Sequence, residues 1–95
     1  MTLQNITSTL KDRLKAYSNT EVYKINDSPK EISDGILKSI EIALEAERNS
    51  TKITEKDKRW FPSIGIVSKC FDDPEWWDIG KLYYDFFNLV KELYF

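Results

Sequence analysis

Ninety-five residues, 41% hydrophobic and 32% charged, make one small domain, with too few residues for two and too many apolar ones for a disordered chain. The absence of histidine removes Ser–His and Cys–His nucleophile pairs, imidazole bases and imidazole metal ligands, which argues against an enzyme. A net charge of −2 disfavours a nucleic-acid binder, and the single cysteine, Cys70, forms no internal disulfide, which points to a reducing, cytoplasmic setting.

Residues 3–17 carry a helical stripe of Leu3, Ile6, Leu10, Leu14 and Tyr17, with Thr2 as its cap and Asn19 as its stop. Residues 18–27 are polar and irregular. Glu21–Ile25 alternates weakly, as an extended segment would, and Tyr23 and Ile25 are expected to cover the core edge.

The stretch "SPKE", 28–31, reads as a helix start: Ser28 caps, Pro29 takes the first helical position and Glu31 completes a capping box. The stripe Ile32, Ile36, Leu37, Ile40, Ala43 and Leu44 follows, to about Asn49. Asp34, Lys38, Glu41 and Glu45 cluster on the opposite side of the wheel. Gly35 inside this helix costs about 1 kcal/mol relative to alanine, so it either permits a close approach or is tolerated.

Thr54 with Asp57 resembles a cap, and Pro62 interrupts or reopens the helix. Trp60 and Phe61 are expected to plug the bundle end. The basic, aromatic run "KDKRWF" is also compatible with single-stranded nucleic acid, although the acidic chain argues against it. Residues 63–71 fit a helix or a short strand, and a lone strand would lack a partner for its backbone, so helix is favoured. Cys70 reads as an inert core residue.

Residues 73–94 form the longest pattern. Asp73 caps, Pro74 opens the helix and Glu75 suits its positive end. Nine of the thirteen aromatic residues lie in 71–95. Trp76, Ile79, Gly80, Tyr83, Phe86, Phe87, Val90 and Leu93 fit one wide core face, while Trp77 and Tyr84 share a flank. The expected fold is all-α: a single domain over 1–95, a compact bundle of about four helices with the aromatic C-terminal helix at its centre.

The surplus acids and the flank aromatics are the candidate site. Asp34, Glu41, Glu45, Asp72, Asp73, Glu75 and Asp78 supply negative charge that steers a basic partner, and Trp77 and Tyr84 supply anchors of the kind that dominate interface energetics. The acids lack the spacing of a calcium loop, so no metal is expected, and no residue pattern calls for a cofactor.

With its acidic stretches "DGILKSIEIALEAE" and "DDPEWWD" and the "DSP" at 27–29, the chain loosely resembles bacterial toxin-immunity proteins of the colicin and contact-dependent growth inhibition type. That resemblance implies a non-enzymatic inhibitor. It would bind a cognate toxin, a basic nuclease domain, tightly and stoichiometrically, and block its active site or substrate groove. Neither direct nucleic-acid binding nor a membrane is expected. The alternative is a protein-binding adaptor or a phage-type inhibitor of another protein.

Overall fold

The computed structural model describes residues 2–25, 27–69 and 74–95, apart from the side chains of Val22, Ser28, Ser68, Lys69, Pro74 and Glu75. Six helices appear in that range: α1 (Leu3–Tyr17), α2 (Glu21–Ile25), α3 (Asp27–Asn49), α4 (Glu55–Lys58), α5 (Ile64–Lys69) and α6 (Pro74–Tyr94). No strand occurs among the described residues. The three long helices α1, α3 and α6 surround one core, and the three short ones close its edges.

The first helix follows its sequence pattern. The Thr2 hydroxyl accepts the Asn5 N–H at 3.2 Å, and Leu3, Ile6, Leu10, Leu14 and Tyr17 are all buried. The segment 21–25 is a helical turn and not extended. The Thr20 hydroxyl accepts the Tyr23 N–H at 3.3 Å and the Lys24 N–H reaches the Thr20 carbonyl at 3.2 Å. These local bonds satisfy backbone groups that an unpaired strand would leave open. Tyr23 covers the core edge, edge-on to Tyr17 at 6.4 Å, but Ile25 is 75% exposed and covers nothing.

The third helix begins at Asp27, one residue before the expected cap, with Pro29 buried in its first turn. Ile36, Ile40, Ala43 and Ala46 form its core face, whereas Leu37 falls outside that face and is partly exposed. The helix ends on Ser50, whose φ of 53° is left-handed. The Ser50 N–H reaches the Glu47 carbonyl at 3.3 Å and the Thr51 N–H the Ala46 carbonyl at 3.0 Å, the paired bonds of a Schellman termination.

The chain after α3 returns to the end of α6. The Ile53 N–H donates to the Tyr94 carbonyl at 2.8 Å and the Lys52 ammonium to the Leu93 carbonyl at 3.2 Å. Those carbonyls lack intrahelical partners, so the connector acts as a C-cap for a helix more than 40 residues away in sequence. Thr54 caps α4 as its spacing implies, accepting the Asp57 N–H at 3.2 Å. The uncertain stretch after Pro62 is helical over 64–69, opened by the Ser63 hydroxyl accepting the Ile66 N–H. The readings placed on Cys70, Phe71 and the cap Asp73, and on the Ser28 side chain, lie outside the described residues.

The last helix packs on α1, α3 and α5 through Trp76, Ile79, Tyr83, Phe86 and Val90. Leu93 departs from the expected core face: it is 45% exposed, while Tyr94 and Phe95 beside it pack against the core. Two buried polar tips on α6 are satisfied by backbone. The Trp76 indole donates to the Val67 carbonyl and the Tyr83 hydroxyl to the Pro62 carbonyl, each at 2.6 Å.

Candidate partner-binding surfaces

Trp76 and Trp77 are neighbours in sequence and opposites in environment. A helix turns 100° per residue, so one of two adjacent side chains enters the core while the next leaves it. Trp76 is fully buried, with its ring 5.1 Å from that of Tyr17. Trp77 is 56% exposed and Tyr84 51%. They lie two turns apart, about 10 Å along the axis, on the same flank of α6.

Gly80 lies between them. With no side chain there, the helix surface dips into an open notch of about 310 Å³ lined by Trp77, Gly80, Lys81 and Tyr84. The charge beside the aromatic pair is therefore the cation of Lys81. The nearby acid Asp78 faces the Arg13 guanidinium of α1 at 3.9 Å, and both side chains are more than half exposed. Such a pair contributes little to stability, and it dilutes the negative field that the sequence suggests for this flank.

The acids of α3 form a separate surface. Asp34, Glu41 and Glu45 recur at seven and four residues and are all exposed. Their stripe is opposite Ile36, Ile40 and Ala43, the face that α3 turns to the core it shares with α6. The structure thus does not join these three acids to Trp77 and Tyr84. Asp72 and Asp73, and the side chain of Glu75, lie outside the described residues.

A third aromatic, Trp60, is found where sequence reasoning places a core plug. Phe61 does plug the bundle end: it is buried, stacked on Phe86 at 6.1 Å and edge-on to Phe87 and Phe95. Trp60 points the other way, 54% exposed, with the Lys38 ammonium over its ring at 5.7 Å. The signal in the sequence was the tight turn itself, since successive side chains in "RWFP" cannot all face inward.

Among the described residues no group of three or more carboxylate or thiol side chains is placed to hold a metal ion. Burial pushes the Tyr83 phenol above the ordinary tyrosine range, partly offset by a hydrogen bond with Ser39, so it stays neutral and serves as a donor. An open groove of about 680 Å³ lies between α1 and α3, lined by Gln4, Thr7, Ser8, Lys11, Leu44, Glu47 and Arg48. Among the described residues no helix is long and apolar enough to cross a membrane. No protein-family model, curated protein or solved structure matches the chain.

Proposed function

We propose that this chain is a non-enzymatic binding protein that neutralises a cytoplasmic partner by covering it, the partner being a toxin with a basic nuclease domain. The observation that carries the reading is the exposed pair Trp77 and Tyr84, set on a rigid central helix on either side of the Gly80 notch. Large aromatics left in water on a well-packed scaffold are what a partner desolvates to gain affinity. The exposed acids of α3 supply a net negative field for long-range attraction of a basic domain.

The test is a titration against the purified toxin domain encoded by the neighbouring gene. A one-to-one complex that stops its nuclease activity supports the reading, as does loss of that complex on Trp77→Ala together with Tyr84→Ala. A neighbouring product that does not bind sinks the immunity assignment. Lys81 beside the aromatics, and the engagement of Asp78 with Arg13, favour a second reading, an adaptor for a partner that is not basic. Salt separates the two. Complex formation that weakens steeply between low and physiological salt belongs to the toxin reading, and near-indifference to salt belongs to the adaptor.

A further inference from the structure

The turn that carries Trp60 is held from several directions. The Trp60 N–H reaches the Asp57 carbonyl at 3.1 Å and the Phe61 N–H the Lys58 carbonyl at 3.2 Å. Phe61 is stacked on Phe86, and the Pro62 carbonyl accepts the Tyr83 hydroxyl at 2.6 Å. The Pro62 ring lies over Gly35, where a Cβ would come within 3.0 Å of Pro62 Cγ. With Phe61 fixed inward and Pro62 clamped on α3, Trp60 is fixed outward. A tryptophan whose backbone is held so that the ring faces water needs no backbone rearrangement before a partner covers it, which lowers the cost of binding.

The α3 face beside that anchor is acidic. Trp60 adjoins the outer stripe of α3 through Lys38 and Gly35. That stripe carries Glu31, Asp34, Glu41 and Glu45, all exposed and without an ion pair among the described residues. On α4 and its cap beside Trp60 the charges are mixed, Lys56, Lys58 and Arg59 against Glu55 and Asp57, whereas on the α3 stripe the four carboxylates face the single cation Lys38. Lys38 lies over the indole ring, which shows that the ring accepts a cation.

We propose that the outer face of α3, with Trp60 as its aromatic anchor, is a second docking surface, and that its occupant is a protein segment presenting arginine or lysine side chains. The proposal rests on reading the chain as a protein-binding domain, but it uses a face distinct from the Trp77–Tyr84 flank. A guanidinium stacks on the exposed indole while neighbouring cations meet Asp34, Glu41 and Glu45.

The experiment is an NMR titration of the ¹⁵N-labelled protein with a synthetic helical peptide of leucine and arginine. A peptide with glutamate in place of each arginine serves as the control. Trp60, Trp76 and Trp77 give three separate indole signals. The expected result is movement of the Trp60 indole and of the amides across 34–45 with the arginine peptide, and none with the glutamate peptide. Affinity should fall about tenfold on Trp60→Ala, and by a similar factor on reversing Glu41 and Glu45 to lysine. Trp60 and both acids are exposed, so these variants fold. Equal response to both peptides, no response at all, or shifts produced by raising the protein's own concentration would overturn the proposal. Shifts confined to Trp77 and Tyr84 would overturn it too, while leaving the α6 flank as the binding surface.

Discussion

The Tyr83 hydroxyl donates to the Pro62 carbonyl across 2.6 Å, tying the centre of α6 to the turn that closes the bundle end. Tyr83 is fully buried, so its hydroxyl depends on protein partners, while Pro62 is half-buried. Tyr83→Phe keeps the ring and removes this bond, which should cost about 1 kcal/mol in urea unfolding with an unchanged denaturant slope. The pH dependence has a definite sign. Burial raises the phenol's pKa in the folded state, so the folded protein holds this proton more tightly than the unfolded one. The stability it supports is complete below the ordinary tyrosine value of about 10 and is lost as pH rises through and beyond it. The difference in stability between the native protein and Tyr83→Phe should therefore be constant from neutral pH to about 9 and shrink above 10. A difference that stays flat through pH 11 would mean that this phenol ionises as readily in the folded chain as in the unfolded one.

Gly35 meets the same turn from the other side. An alanine there gains about 1 kcal/mol of helix propensity. It also places a methyl group 3.0 Å from Pro62 Cγ, and a proline ring yields less easily than the end of a flexible chain. The two effects oppose, so Gly35→Ala should change stability by less than about 1 kcal/mol while displacing Pro62 and, with it, Trp60. The check is a pair of measurements: a denaturation midpoint that hardly moves and a Trp60 indole signal that does. An unmoved indole would show that the turn is not clamped on α3.

The left-handed Ser50 is a site of removable strain. A side chain at φ 53° crowds the backbone, and serine has no special tolerance for that region. Ser50→Gly keeps both bonds of the Schellman termination and relieves the crowding. It should stabilise the fold by about 0.5–1 kcal/mol, net of the extra freedom glycine gives the unfolded chain. Differential scanning calorimetry gives the answer as a rise in Tm, and a fall would indicate that the Ser50 side chain contributes contacts worth more than the strain.

How far the sequence discloses this molecule depends on how local each cause is. The first helix is legible because its stripe and its Thr2 cap lie within a few residues of each other. Trp76 is placed in the core correctly by the helical repeat alone, and Gly80 is buried as that repeat implies while it borders the notch of the Trp77 flank. The extended reading of 21–25 fails because a weak alternation is outweighed by the Thr20 hydroxyl, a hydrogen-bond effect that hydropathy does not register. The tight turn implies that Trp60 and Phe61 cannot both face inward, but which of them faces outward is hidden for a different reason. The outward position of Trp60 follows from Tyr83 and Gly35, residues more than 20 positions away whose contact with Pro62 exists only once α3 and α6 have packed. The division of the acids and aromatics between two faces has the same origin. Each helix wheel is readable by itself, but their relative orientation is a property of the packed bundle.

The sharpest test of that division uses the adjacent tryptophans. Trp76 fills the core against Tyr17 and donates its indole N–H to the Val67 carbonyl at 2.6 Å, which ties α6 to α5. Trp76→Ala therefore opens a cavity and removes a buried donor, and should cost about 3–5 kcal/mol, enough to threaten the fold of a chain this size. Trp76→Phe retains most of the volume but not the donor, so it should cost less than the alanine variant. Trp77 and Tyr84 make no comparable claim on stability: truncating either exposed ring should shift the unfolding free energy by no more than about 0.5 kcal/mol. If these rings are partner anchors, the same two variants should abolish the complex with the toxin domain while leaving the far-UV circular dichroism and Tm unchanged. A Trp77→Ala protein that unfolds several degrees earlier would instead assign that ring to the protein's own packing. A protein unchanged in both stability and binding would remove the α6 flank from the interface.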